Sequence, residues 1–264
     1  MYSFDYQRPA DRAAAAAAIQ GDARYLAGGQ TLIQAMKLRL SSAERLVDLG
    51  AIADLKGITV AGNTVTIGAM TPHAEVARSA EVRRAIPALA ELAGSIGDAM
   101  VRNQGTIGGS VANADPAADY PAGLLALGAT VNTDRRSIAA DDFFTGMFET
   151  ALQPGELIVS VAFPAAQKAA YAKFKQPASR FALVGVFVAQ TASGVRVAAT
   201  GCKGSVYRVA ELEAALSKSF TPEAAKAVQL SPAGFNADLH ASAEYRAAML
   251  SVMAARAVAA ANAR

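Results

Sequence analysis

Residues 105–122 have the sequence GTIGGSVANADPAADYPA, and residues 24–32 have the sequence RYLAGGQTL. Each stretch contains a pair of adjacent glycines beside small, apolar or hydroxyl-bearing residues. Glycine leaves room for a ligand to approach the backbone, and it permits the positive φ angles that turn successive amides towards an anion. Two such loops in one chain favour a single extended, phosphate-bearing ligand held from two sides. The plainer alternative for either loop alone is a turn between a strand and a helix.

Side chains beside the glycine pairs add hydrogen-bonding groups, namely Gln30, Thr31, Thr106, Ser110 and Asn113. We expect the second pair, Gly108-Gly109, to present backbone amides in the same way as the first pair, Gly28-Gly29. Asp115 and Asp119 would repel a phosphate, but a carboxylate accepts hydrogen bonds from hydroxyl or ring N–H groups. The pattern therefore predicts a ligand that carries both a pyrophosphate and uncharged donors.

Composition excludes several other kinds of site. The chain has 264 residues, 53% hydrophobic and 18% charged, which is typical of a globular protein with a sizeable core. Its single cysteine, Cys202, excludes an internal disulfide framework, and with only His73 and His240 a metal cluster is not expected. The net charge of +3 comes from scattered Lys and Arg residues, which argues against nucleic-acid binding.

The expected location is the cytoplasm. The densest apolar run, residues 181–189, is far shorter than the ~20 residues that span a membrane. The N-terminus has acidic and aromatic residues where a signal peptide has a basic region and an apolar core.

Hydrophobic patterning predicts an α+β chain of three units. Residues 1–57 are expected to form a small β-α-β unit. Residues 58–166 begin with a hairpin turning at Gly62-Asn63 and continue with helices, including one over about Ala80 to Ile96 that Pro87 interrupts or kinks. Residues 167–264 show three strands followed by helices, which predicts a separate α+β domain.

One feature imitates a Rossmann dinucleotide site. Asp48 follows Gly28 by twenty positions, about where a Rossmann acid would bind a ribose. The glycines, however, do not follow the pattern GxGxxG, and strands and helices stop alternating after Gly57. A Rossmann domain is therefore not the expected fold.

The glycine stretches and their surroundings resemble the FAD-binding medium subunit of molybdenum hydroxylases. This family includes xanthine dehydrogenase, aldehyde oxidoreductase and aerobic carbon monoxide dehydrogenase. The resemblance rests on AGGQTLIQAMKLRL (27–40), RLVDL (45–49), TVTIGAMT (64–71) and VRNQGTIGGSVANADPAADYPA (101–122), and later on YAKFKQPASRFALVGV (171–186) and TGCKGSVYR (200–208). It implies a two-part FAD-binding domain of the p-cresol methylhydroxylase (vanillyl-alcohol oxidase) type, PCMH, with subdomains 1–57 and 58–166. A C-terminal domain of a small antiparallel sheet with helices would follow at 167–264.

The resemblance also implies which residues hold FAD. The matching positions are Arg24, Ala27, Gly28, Gly29, Gln30 and Thr31 in the first loop, and Thr106, Ile107, Gly108, Gly109 and Ser110 in the second. Asn113 and Asp119 match positions where polar contacts continue, and Ile158, Tyr171 and Lys175 match positions close to the cofactor in some members. No catalytic acid, base or nucleophile is expected in this chain, because the flavin carries the redox chemistry.

In the resembled oxidoreductases a large subunit hydroxylates substrate at a molybdopterin cofactor, and a small subunit carries two [2Fe–2S] clusters. The implied function is therefore electron transfer through FAD to an external acceptor, in a dimer of heterotrimers. A branch of the family with an additional Cys-bound cluster in this subunit is excluded by the single cysteine. Two alternatives stay open: a free-standing FAD oxidoreductase with its own substrate pocket, and a non-enzymatic module that has lost the cofactor.

Overall fold

The first unit is a three-stranded parallel sheet with two helices. The computed structural model describes all 264 residues. The elements of this unit are β1 (Asp5–Gln7), α1 (Arg12–Ala18), β2 (Ala23–Leu26), α2 (Leu32–Lys37) and β3 (Arg45–Asp48), with β3 at the centre of the sheet. The Asp11 side chain caps α1 by accepting a hydrogen bond from the Ala14 amide. Strand β1 was not predicted, because its three residues are exposed and show no apolar alternation.

The second unit is built on a five-stranded antiparallel sheet in the order β4-β5-β10-β6-β7. These strands are β4 (Ile58–Ala61), β5 (Thr64–Gly68), β6 (Thr130–Thr133), β7 (Ser137–Ala139) and β10 (Ile158–Pro164). The predicted hairpin between β4 and β5 is confirmed, with Gly62 at φ +56°. A separate two-stranded ribbon consists of β8 (Phe144–Gly146) and β9 (Glu149–Thr150).

Seven helices belong to this unit, and proline and glycine set several of their ends. They are α3 (His73–Arg78), α4 (Ala80–Ala85), α5 (Pro87–Ser95), α6 (Ala99–Gln104), α7 (Ile107–Asn113), α8 (Tyr120–Leu127) and α9 (Ala140–Phe143). Pro87 separates α4 from α5 because it has no N–H to continue the hydrogen bonding of a helix. Gly128 ends α8 in the left-handed region, at φ +64°.

The third unit is a four-stranded antiparallel sheet with helices against one face. It contains β11 (Lys168–Lys175), β12 (Ala182–Thr191), β13 (Gly194–Thr200), β14 (Tyr207–Arg208), α10 (Ala210–Lys218), α11 (Pro222–Lys226) and α12 (Ala243–Asn262). Alternation along β12 directs Val184, Val186 and Val188 into a core shared with α12, whereas Phe187 joins the core of the second unit. All eight residues of α8 are buried, because this helix lies between the second unit and the third sheet.

No helix of the chain combines the length and apolar character needed to cross a membrane.

Candidate functional site

A cavity of about 530 Å³ lies where the three units meet. Much of its wall comes from residues 24–32 of the first unit, from residues within 105–119 and 156–158 of the second, and from residues 179–181 of the third. The volume is within the range of about 300–1,000 Å³ that is usual for ligand and cofactor sites.

The first glycine loop presents free backbone amides to this cavity. The amides of Gly28, Gly29, Gln30 and Thr31 donate no hydrogen bond within the chain, and all four residues line the cavity. Gly29 has φ +69°, a conformation in which side-chain-bearing residues are strained. Four consecutive unpaired amides are suited to a pyrophosphate, which needs several donors and no nearby carboxylate.

The second glycine stretch differs from the sequence expectation, because its amides are already bonded within the protein. Gly108 N–H donates to the Ala69 carbonyl at 2.8 Å, Gly109 N–H to Thr106 Oγ1 at 3.1 Å, and Ser110 N–H to the Thr106 carbonyl at 3.0 Å. The stretch forms α7, and Thr106 caps it. Thr106 and Ser110 both lie on the cavity wall, and their hydroxyl groups remain available to a ligand.

The glycines of the two loops instead allow close packing. A Cβ atom on Gly28 would lie 2.2 Å from the Gln104 carbonyl oxygen and 2.8 Å from the Gly105 Cα, and one on Gly108 would lie 2.5 Å from the Ala69 Cβ. At Gly109 a Cβ would lie 3.0 Å from Thr106 Oγ1 and 3.4 Å from the Ala27 Cβ, between the two loops. Small residues are needed here because the backbones of the two loops lie so close together that side chains between them would clash.

The structure brings most of the predicted site residues to the cavity wall: Arg24, Ala27, Gly28, Gly29, Gln30, Thr31, Thr106, Gly108, Gly109, Ser110, Asn113, Asp119 and Ile158. It does not bring Ile107, Tyr171 or Lys175 there. The Ile107 side chain is fully buried in the core of the second unit. Asp48, the Rossmann-like acid, also lies away from the cavity and accepts hydrogen bonds from Gly50 N–H and Tyr6.

Tyr171 lies behind the cavity wall. Its hydroxyl donates to Asp119 Oδ1 at 2.5 Å, and its ring stacks on Phe187 at 6.1 Å between centroids. The lysine on the same strand that contacts the carboxylate of the wall is Lys173, whose Nζ donates to Asp119 Oδ2 at 3.0 Å and to the Ser95 carbonyl at 3.0 Å. A β-bulge between Phe174 and Lys175 breaks the alternation that would place Lys175 on the same face, and Lys175 is exposed.

Asp119 and Lys173 form a buried ion pair between the second and third units. Their side chains are only 6% and 5% exposed. Burial raises the pKa of the Asp119 carboxyl, and the charge of Lys173 and the hydrogen bonds from Lys173 and Tyr171 oppose that rise. The same loop is held at Thr200, whose hydroxyl lies 2.8 Å and 2.7 Å from the Pro116 and Ala118 carbonyl oxygens.

Sequence reasoning missed further residues of the wall. His73 is 4% exposed, and burial, with a smaller contribution from the Arg102 charge, lowers its pKa to about 4. Its imidazole is therefore neutral at pH 7. Arg180 and Phe181 border the cavity from the third unit, and the Arg180 guanidinium donates to the Gly97 carbonyl at 3.1 Å. The apolar part of the wall includes Leu49, Met70, Leu152, Leu157 and Ile158.

These features fit a flavin dinucleotide. The free amides of residues 28–31 suit the pyrophosphate, the Thr106 and Ser110 hydroxyls can donate beside it, and the apolar wall suits an aromatic ring. Asp115 adds an acceptor for uncharged donors, since it lines the cavity and accepts only one hydrogen bond from the chain.

Comparison with known proteins agrees with this chemistry. Residues 2–166 match the family model described as the FAD binding domain in molybdopterin dehydrogenase. The carbon monoxide dehydrogenase medium chain of Hydrogenophaga pseudoflava is 36% identical, with 99% of this chain and 98% of that protein covered. The nicotine 6-hydroxylase medium subunit of Paenarthrobacter nicotinovorans is 34% identical over 92% of this chain and 91% of that protein.

Among solved structures, reconstituted CO dehydrogenase from Oligotropha carboxidovorans superposes with a TM-score of 0.91 at 35% identity, covering 100% of this chain and 99% of that chain. The likeness therefore extends through the third unit, which lies beyond the matched family model. The chain belongs to the FAD-binding medium subunits of the molybdenum hydroxylase family, which are components of oxidoreductases.

Proposed function

We propose that this chain holds FAD non-covalently in the 530 Å³ cavity and passes electrons from [2Fe–2S] clusters on a partner subunit to an external acceptor. The observation that carries the proposal is the row of four unpaired amides at residues 28–31 on the cavity wall. Gly28, Gly29 and Gln30 are half-buried, and backbone donors in such positions are normally satisfied. Together with the exposed Thr31 amide at the start of α2, they form a row of donors suited to an anionic partner.

Each part of the wall has a distinct task in this proposal. The amides of Gly28 to Thr31 bind the pyrophosphate, and Thr106 and Ser110 donate hydroxyl hydrogen bonds beside it. Arg24, at the edge of the same loop, adds positive charge near the phosphates. Ile158 and its apolar neighbours exclude water from the ring. FAD, when bound, supplies the redox chemistry, so the protein needs only to bind, orient and shield it.

The proposed assembly follows the relatives, whose names identify them as medium chains or medium subunits. We place the molybdopterin cofactor on a large partner subunit and two [2Fe–2S] clusters on a small one, in a dimer of heterotrimers. Substrate would then be chosen on the large subunit.

The test separates binding of the cofactor from turnover of substrate. The purified full chain should show flavin absorption and release FAD when denatured. Its flavin bands should be bleached by dithionite and restored by an artificial acceptor, but should not change with aldehydes, purines or carbon monoxide. Adding the large and small subunits should enable reduction by the substrate of the complex.

Two outcomes would contradict the proposal. If the chain bound FMN, or no flavin with FAD in excess, the cofactor assignment would fail. If the chain alone turned over a substrate as fast as the full mixture, it would be a free-standing flavoenzyme.

A further inference from the structure

The loop of residues 115–119 carries two carboxylates with different surroundings. Both oxygens of Asp119 accept hydrogen bonds from the third unit, one from Tyr171 and one from Lys173. Asp115, at the other end of the loop, has no ion-pair partner, and only its Oδ1 accepts a hydrogen bond, from the Ala117 amide at 2.8 Å. Asp119 therefore fastens the loop, whereas Asp115 keeps an unused acceptor.

Asp115 lies on the cavity wall with this acceptor unused. It is partly buried and lines the wall close to Asn113 and Ala118. Burial raises the pKa of its carboxyl, opposed only by the hydrogen bond from Ala117. A carboxylate that has lost part of its hydration needs donors in exchange, and the chain supplies a single one.

The third unit holds the loop that carries Asp115. The Thr200 hydroxyl lies within hydrogen-bond distance of the Pro116 and Ala118 carbonyl oxygens, and Gly201 N–H donates to the Pro116 carbonyl at 2.8 Å. Because the third unit holds the middle of the loop, the Asp115 backbone has little freedom to turn its carboxylate away. The acceptor is therefore oriented before a ligand binds, which reduces the entropy lost on binding.

The Asp115 carboxylate can pair with only certain ligand groups. A phosphate would be repelled, and the matching group must be an uncharged O–H or N–H donor. FAD carries such donors outside its pyrophosphate: the ribityl and ribose hydroxyls and the ring N3–H. We propose that Asp115 is a specificity-determining residue that accepts a hydrogen bond from one of these donors. This inference rests on the proposed FAD function.

The direct test replaces Asp115 by Asn. The Asn Oδ1 can still accept from the Ala117 amide, so the loop keeps its local hydrogen bond, but the free oxygen becomes an NH₂ group that cannot accept. A ring N–H would then face another donor, and a hydroxyl would lose its bond to a charged acceptor and keep at most a neutral one. We expect the Kd for FAD to rise about tenfold or more, as quenching of flavin fluorescence on titration of the full-length apoprotein would show. The urea midpoint of the apoprotein should not fall, because the substitution removes a poorly solvated charge.

A matched control is Asp98→Asn. Asp98 also accepts a backbone hydrogen bond through Oδ1, from Val101 at 2.8 Å, but it is exposed and does not line the cavity. This variant should bind FAD within about twofold of the wild type, because its carboxylate does not face the ligand.

FAD analogues identify the donor. The panel consists of a derivative methylated at ring N3 and of deoxy forms that each lack one ribityl or ribose hydroxyl. The analogue without the relevant donor should bind more weakly to the wild type, and the loss should be clearly smaller in the Asp115→Asn protein. The proposal is wrong if D115N binds FAD as tightly as D98N does, or if D115N weakens FAD and every analogue by the same factor. Failure of the wild type to bind FAD would instead overturn the proposed function.

Discussion

Replacing Lys173 by Met removes one half of the buried ion pair that joins the second and third units. Methionine fills much of the space of the lysine stem, so packing changes little, but Asp119 loses its only cation. Tyr171 remains as the single side-chain donor to that carboxylate. The variant thus tests whether the unpaired charge, and not lost packing, governs the stability of this interface.

The magnitude follows from the burial of the pair. Both side chains are nearly inaccessible to water, at 5% and 6% exposure, and removing one partner of such a pair costs roughly 3–5 kcal/mol. The direction in which this loss of stability changes with pH is also determined. An unpaired buried Asp119 has a folded-state pKa above its ordinary 3.8, so the penalty is fully present above the raised pKa and disappears as pH falls towards 3.8.

Urea unfolding of the apoprotein at several pH values measures both effects. Lys173→Met should lower the free energy of unfolding by roughly 3 kcal/mol at pH 8, and by less at pH 5. Adding Asp119→Asn should recover part of this loss, because no unpaired charge then remains. Arg12→Met, which breaks the exposed Arg12–Asp54 pair (44% and 53% exposed), should cost less than about 1 kcal/mol. A Lys173→Met loss no larger than that of Arg12→Met would refute the argument.

Three further substitutions test the loops and the buried histidine. Gly109→Val should abolish FAD retention in a folded protein, because the side chain enters the gap between the two loops, whereas Gly62→Val should retain FAD and lose stability through its φ of +56°; equal FAD loss in both would refute the local explanation. Gly28→Ala should lower both FAD affinity and the urea midpoint, since its Cβ would lie 2.2 Å from a backbone oxygen of the facing loop, while Gly94→Ala, whose Cβ meets only a methyl group at 3.8 Å, should lower neither. His73→Gln should flatten the decrease in stability between pH 6.5 and pH 4, because the unfolded chain takes up the proton at about 6.5 and the folded chain only at about 4; an unchanged pH profile of urea midpoints would contradict this.

The sequence predicted features whose cause is local. The turn at Gly62-Asn63 and the break at Pro87 follow from conformational limits of single residues. The free amides of the first loop were also foreseeable, because Gly28-Gly29 lies between a strand and a helix.

Features that depend on distant partners were not predictable. The amides of Gly108 and Ile107 are bonded to carbonyls of Ala69 and Thr71, far away in the sequence, and no local pattern reveals this. The choice between Lys173 and Lys175 depends on a bulge that appears only when β11 pairs with β12. In a regular strand, side chains alternate between the two faces, so both Lys173 and Lys175 could have shared the face of Tyr171.

Helix α8 has a consequence for how the protein folds. Its buried side chains belong to a 31-residue core that also contains Phe187, Ala189 and Ala198 of the third sheet. The matched family model ends at residue 166, before any of these three residues. The segment matched by the family model thus does not contain its whole core, because part of the hydrophobic environment of α8 comes from the C-terminal sheet. The cavity, whose Asp115–Asp119 wall leads directly into α8, also takes residues 179–181 from the C-terminal unit, so we expect its wall to be complete only when that unit is in place.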